Sequence, residues 1–140
     1  MTSMKIVKTI YLKAPPEHVW TFLTEADKLA LWFHRGRDDL AEGGDYILET
    51  NSYGKEGEKL CWGKVLEMKK PERLVHTFIH DFMKGAETTC TWTLEAAAGG
   101  TILTLVHDGW ENAEEDPFGM AANHDSGWDE HFARLRRVAN

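Results

Sequence analysis

Residues 87–107, ETTCTWTLEAAAGGTILTLVH, carry the clearest structural signal in the chain. Cys90, Trp92 and Leu94 alternate with threonines, and this two-residue period is typical of a β-strand with one buried face. The glycine pair at 99–100 predicts a tight turn, after which the alternation resumes. The stretch therefore predicts an antiparallel hairpin in a sheet with one covered side.

Further strands extend the sheet beyond this hairpin. Short turns separate the later strands, which favours antiparallel pairing between consecutive ones. The strands are predicted over residues 4–13, 45–51, 60–69, 73–80, 87–96 and 101–107.

Helical periodicity follows the first strand and returns at the end of the chain. Pro16 suits the first position of one short helix, and a second short helix carries Trp32. The pair Asp116-Pro117 predicts the start of a long final helix. Its apolar stripe, at spacings of three and four, consists of Ala121, His124, Trp128, Phe132 and Leu135. The predicted class is α+β, with a curved antiparallel sheet of six to seven strands wrapped on one long C-terminal helix.

Gly127 lies inside this final helix, where glycine costs about 1 kcal/mol relative to alanine. We expect the missing side chain to let the helix approach a strand or bend, with Trp128 projecting into a cavity between helix and sheet as part of its wall, and with Arg136 and Arg137 exposed. A helix that begins only at Ser126 is the alternative. The apolar stripe continues upstream of Ser126 and favours the longer helix.

The composition is that of an ordinary globular chain. Its 140 residues fit one domain, 1–140, with 42% hydrophobic and 28% charged residues. Sixteen basic against 23 acidic residues leave a net charge of −7, which disfavours nucleic acid and anionic lipid as partners. No apolar run reaches the roughly 18 residues of a membrane span, and lysines interrupt any N-terminal signal sequence. With two cysteines, Cys61 and Cys90, we expect a cytoplasmic protein with reduced thiols.

Five segments, taken in their order and spacing, resemble one protein family. They cover residues 10–20, 29–33, 63–67 with 71–78, 91–95 with 100–110, and 127–135. The chain resembles the bacterial homologues of the activator of heat-shock-protein-90 ATPase, within the SRPBCC/START-like superfamily of helix-grip domains. The resemblance implies a seven-stranded antiparallel sheet that grips the C-terminal helix, with an apolar cavity between the two.

That cavity is the candidate binding site. Large aromatic residues crowd the predicted inner face, and a buried tryptophan needs a partner for its N–H group. His107 and His124 are expected to act as polar anchors in an otherwise apolar pocket. An ordinary aromatic core is the alternative. The expected lining consists of Trp32, Tyr46, Phe78, Trp92, Leu105, His107, Trp110, His124, Trp128 and Phe132.

The residue pattern gives little support to a catalytic or metal site. His76, His80, His107 and His124 could approach one another, but no cysteine or carboxylate completes a recognisable metal spacing. No serine lies in a Gly-x-Ser-x-Gly turn, and both cysteines fall within predicted strands. We therefore expect no catalytic residue, no metal and no cofactor.

These observations favour a small module that binds an apolar molecule, aromatic or lipid-like, between sheet and helix. One alternative is a cyclase-like or hydrolytic enzyme in the same cavity, which would need a convergent acid and base. Another is a chaperone- or regulator-binding domain, which would need an exposed apolar patch. We expect a monomer or homodimer with a small apolar ligand, and neither nucleic acid nor membrane as a partner.

Overall fold

A computed structural model describes residues 4–50 and 58–140. Within these residues the chain forms seven strands, three α-helices and two single-turn 3₁₀ helices. The strands are β1 (Lys5–Leu12), β2 (Arg35–Gly36), β3 (Asp45–Glu49), β4 (Lys59–Lys69), β5 (Arg73–His80), β6 (Thr88–Ala97) and β7 (Gly100–Asp108). The helices are α1 (Pro16–Thr24), α2 (Ala26–Trp32) and α3 (Pro117–Val138), and the 3₁₀ turns are Asp81–Met83 and Trp110–Asn112.

The seven strands of the described residues form one antiparallel sheet in the order β1-β7-β6-β5-β4-β3-β2. Strands β2 to β7 follow one another as a meander, and β1 pairs with the last of them. Helices α1 and α2 therefore connect one edge of the sheet to the other. In the hairpin of β6 and β7, Trp92 lies opposite Leu105 and Cys90 lies opposite His107. The predicted hairpin and the predicted α+β helix-grip arrangement are confirmed.

Helix α3 turns its apolar stripe toward the sheet. Asp116 caps the helix by accepting the backbone N–H of Gly119 at 3.0 Å. All five predicted stripe residues are buried, whereas Arg136 and Arg137 are exposed, as expected. The alternative start at Ser126 is wrong, because Ser126 lies inside the helix.

The expected close approach of the helix to a strand at Gly127 is also wrong. A Cβ atom at this position would meet no neighbouring heavy atom of the described residues within 4 Å. The glycine is therefore not required for a close approach between helix and strand. Trp128, by contrast, does point into the interior and exposes only 2% of its surface.

Candidate functional site

Large aromatic side chains fill the space between α2, β6 and α3. Trp92 of β6 meets Trp128 of α3 edge to face, with ring centroids 5.5 Å apart. Trp32 and Phe132 stack with their centroids 6.0 Å apart and belong to the same cluster. All ten residues of the predicted cavity lining are buried, and these four pack directly against one another. Contact of the ten residues with a ligand stays a prediction.

Two indole N–H groups of this cluster are paired with buried histidines. Trp92 Nε1 donates to His76 Nε2 at 3.0 Å, and Trp128 Nε1 donates to His107 Nδ1 at 3.0 Å. The imidazoles thus supply the acceptors that an apolar core would lack. The tryptophans alone therefore give no support to an open cavity.

His107 is the centre of a buried chain of hydrogen bonds. Its Nδ1 accepts from Trp128, so its Nε2 carries the proton and donates to Thr88 Oγ1 at 2.8 Å. The Thr88 hydroxyl then donates to the carbonyl oxygen of Phe78 at 2.6 Å. Burial lowers the pKa of His107 well below its ordinary value, so the ring is neutral. With both ring nitrogens engaged, His107 positions Trp128.

His124 of α3 differs from His107 because one of its ring nitrogens has no partner. Its Nδ1 donates to the carbonyl oxygen of Met120 at 2.8 Å, which leaves Nε2 as an acceptor. Among the described residues, no group forms a hydrogen bond with this buried Nε2. Burial lowers the pKa of His124, which keeps the Nε2 lone pair available at neutral pH. A buried acceptor is unfavourable until a donor reaches it.

A small recess between the sheet and α3 lies beside His124. Its volume is about 80 Å³, and aromatic and imidazole rings form most of its wall. Phe82 exposes 44% of its surface and forms part of the rim. We call this recess the histidine pocket, and its lining comprises Phe33, His34, Phe78, His80, Phe82, Asn123, His124, Gly127, Trp128 and His131.

The predicted lining and the histidine pocket overlap only in part. Phe78, His124 and Trp128 belong to both sets. The expected lining omitted five of the rings in the pocket, which are Phe33, His34, His80, Phe82 and His131, although the sequence did place His80 near His124. The α3 stripe continues at a spacing of three to His131, so periodicity could have identified that ring. Rings such as Phe82 lie in connections and 3₁₀ turns. Hydrophobic periodicity does not predict which side chains are buried in such segments.

The histidines that line the pocket are neutral at physiological pH. Burial is the main cause that lowers the pKa of His34 and His80 to about 4, and that of His131 to about 3. On His131, Nδ1 already accepts a hydrogen bond from Arg134 Nη2. The donor atoms of His34, His80 and the Cys61 thiol lie within 4.8 Å of one another, so this set could hold a metal ion.

A carboxylate lies directly beside one of these imidazoles. Asp81 Oδ1 is 2.8 Å from His80 Nδ1. The contact is short but poorly aligned, so His80 Nδ1 lacks a well-formed hydrogen bond and the pair is best described as an electrostatic contact. A carboxylate in this position orients a histidine, whether the ring acts as a base or as a metal ligand.

Solved structures share this fold across most of the chain. Protein CV1439 from Chromobacterium violaceum is 26% identical, with 96% of this chain and 96% of that chain covered and a TM-score of 0.78. The Aha1 dimer from Colwellia psychrerythraea is 20% identical, with 97% and 96% covered and a TM-score of 0.77. PFC0360w, described as an HSP90 activator from Plasmodium falciparum, is 23% identical, with 76% and 73% covered and a TM-score of 0.63.

Sequence comparison gives the family. No curated protein shows significant sequence similarity to the chain. Within the described residues, no helix is long and apolar enough to cross a membrane. The family profile of the activator of Hsp90 ATPase homolog 1-like proteins (AHSA1) matches residues 13–140. The chain therefore belongs to the AHSA1 family, as the resemblance implied.

Proposed function

We propose that this protein binds a small apolar molecule, aromatic or lipid-like, whose one hydrogen-bond donor meets His124 Nε2 in the histidine pocket. The unpartnered Nε2 carries the proposal, because a buried acceptor beside a recess is suited to a donor from outside the protein. A ligand O–H or N–H that reaches this nitrogen gains a hydrogen bond worth roughly 1 kcal/mol.

The size of the pocket determines which part of the ligand enters it. Its volume of about 80 Å³ is well below that of a cavity that holds benzene, which is roughly 150 Å³. The donor-bearing end of the ligand therefore occupies the pocket, and the apolar body lies over the rings at its rim. Phe82 offers apolar surface for that body at the rim, and this half-exposed side chain can change rotamer to admit it.

An acid–base enzyme that uses the same pocket is the second candidate. The contact between His80 and Asp81 favours it, because a carboxylate beside a histidine orients a general base. An efficient general base has a pKa near the working pH, whereas burial lowers the pKa of His80 to about 4. This mismatch supports binding ahead of catalysis.

Family membership favours a chaperone-binding role as the third candidate, and the HSP90 activator from Plasmodium falciparum points the same way. We also propose that the protein forms a homodimer, as the Aha1 protein from Colwellia psychrerythraea does.

We further propose a cytoplasmic location. The two unpaired cysteines, Cys61 and Cys90, support it.

A matched pair of probes tests the binding proposal. An alkylphenol and the corresponding alkyl anisole differ in one O–H donor, and tryptophan fluorescence reports binding because Trp128 lines the pocket. In buffer containing EDTA, we expect the phenol to bind several-fold more tightly, since the anisole cannot donate to His124 Nε2. The difference should disappear in His124→Ala and persist in His18→Ala, whose side chain is exposed.

Three outcomes would contradict the proposal. The first is equal affinity of the wild-type protein for the two probes, and the second is the absence of saturable binding of the phenol. The third is a phenol preference that survives in His124→Ala. Turnover of an ester or cyclisation substrate that falls by orders of magnitude in His80→Gln would favour the enzyme instead.

A further inference from the structure

Three residues far apart in the sequence bring metal-binding atoms together behind the histidine pocket. Strand pairing places Cys61 of β4 opposite His80 of β5. His34 comes from the connection between α2 and β2, and the donor atoms of all three residues lie within 4.8 Å of one another. Two imidazoles and a thiol form a donor set that zinc prefers.

The spacing of these atoms is close to that of a coordinated ion. Zinc bonds of about 2.0–2.3 Å in a tetrahedron place neighbouring donor atoms roughly 3.3–3.8 Å apart. The donor atoms of His34, Cys61 and His80 therefore need to close by little more than about 1 Å, which side-chain rotation can provide.

The surroundings of His80 provide a second, independent observation. Metal-binding histidines usually donate their other ring N–H to a carboxylate or carbonyl oxygen. Asp81 Oδ1 lies 2.8 Å from His80 Nδ1, so a small rotation of the carboxylate would let it accept this N–H and would leave Nε2 for a metal. A thiolate at Cys61 and the carboxylate of Asp81 together would balance the two positive charges of a divalent ion.

Other histidines of the interior are excluded by their hydrogen bonds. Both ring nitrogens of His107 are used, and so are both nitrogens of His76, whose Nδ1 lies 2.9 Å from the carbonyl oxygen of Thr77. His131 Nδ1 is occupied by Arg134. Of the imidazoles that keep a free ring nitrogen, His34 and His80 are the two whose donor atoms meet the Cys61 thiol, whereas His124 is not part of this group.

We propose that His34, Cys61 and His80 form a binding site for one zinc ion, with Asp81 orienting His80. His34 and His80 line the histidine pocket, so the fourth coordination position opens there and is filled by water. Binding replaces the S–H bond of Cys61 with an S–Zn bond and releases that proton to solvent, and no electron is transferred. The argument for the metal does not rest on the apolar ligand, although a metal-bound water and the donor-bearing end of that ligand would share the histidine pocket.

Cobalt titration tests this site, because a cysteine thiolate bound to Co²⁺ gives a charge-transfer absorption in the near ultraviolet. The full chain is reduced, freed of metal with a chelator and titrated with Co²⁺. We expect one equivalent to bind with this absorption, and Zn²⁺ to abolish it by displacement. Cys61→Ser should eliminate the absorption, whereas Cys90→Ser, which removes the other buried thiol, should retain it.

Variants of His34 and Asp81 measure the affinity for Co²⁺ without creating a cavity in the hydrophobic core. This is because His34 is partly exposed and the Asp81 side chain is 40% exposed. Asp81→Asn should weaken Co²⁺ binding by about 10- to 100-fold, and His34→Gln by at least as much. His18→Gln, at an exposed position, should leave the affinity unchanged. The proposal fails if the wild-type protein lacks the thiolate absorption, if Cys61→Ser keeps it, or if His34→Gln binds Co²⁺ as the wild type does. The probe titrations in EDTA report on the apolar ligand whatever this result is.

Discussion

The indole Nε1 of Trp128 donates a hydrogen bond to Nδ1 of His107 across 3.0 Å and so joins α3 to β7 inside the protein. Because this nitrogen accepts, the opposite nitrogen of His107 must donate, and it meets Thr88 Oγ1. Trp128 also forms part of the wall of the histidine pocket. The position of that wall therefore depends on one buried, neutral imidazole.

Replacing His107 with leucine should destabilise the protein by about 2–4 kcal/mol, because the Trp128 N–H is left buried without an acceptor. Urea unfolding measures the change. The double variant His107→Leu/Trp128→Phe should recover part of the loss, since both polar partners are then gone. A single variant that loses less than about 1 kcal/mol, or a double variant with no recovery, would show that this hydrogen bond is unimportant.

Stability should decrease as the pH falls from about 6.5 toward 4, because burial lowers the pKa of His76 to about 4 from an ordinary value of 6.5. Between these two values the unfolded chain binds a proton that the folded protein does not. The free energy of unfolding then falls by up to about 1.4 kcal/mol per pH unit for each such histidine. Above this pH window, the histidines no longer contribute to the dependence of the free energy of unfolding on pH.

Urea unfolding across the same pH window measures this dependence. His76→Gln removes one titrating group while keeping an acceptor for Trp92, so its slope should be shallower than that of the wild type. His18→Gln, on the surface, serves as the control. A free energy of unfolding that stays constant or rises as the pH falls through the window would be incompatible with buried neutral histidines.

Gly127→Ala should stabilise the protein by up to about 1 kcal/mol, because alanine has the better helix propensity and its Cβ meets no neighbouring atom of the described residues. Gly127→Leu should also fold, but its longer side chain would occupy the histidine pocket and weaken the binding of the alkylphenol. Thermal melts and the fluorescence titration measure the two effects. A lower melting temperature for Gly127→Ala would restore the close-approach interpretation.

The elements of the fold follow from periodicity, and the sequence therefore predicted them well. Strict alternation in β6 and β7 identified the hairpin, and β5 has the predicted bounds Arg73–His80. The α3 stripe identified which residues the helix buries. These signals are local, since each needs only the hydrophobic pattern of one segment.

The polar contacts of the site depend on relations between segments, and the sequence did not predict them. The pairing of Cys61 with His80 depends on the register of β4 against β5, which shifts between Val65 and Glu67. The different roles of His107 and His124 depend on which ring nitrogen carries the proton. The hydrophobic periodicity of the sequence predicts neither a register shift nor the tautomer of a histidine.

Nuclear magnetic resonance of the histidine side-chain nitrogens tests the proposed function most directly. With ¹⁵N-labelled protein in EDTA, titration with the alkylphenol should shift the Nε2 resonance of His124 saturably, because this nitrogen gains a donor. The nitrogens of His107 should change little, since Trp128 and Thr88 already engage them. A saturable phenol titration that leaves the His124 Nε2 resonance unmoved would contradict binding at the histidine pocket.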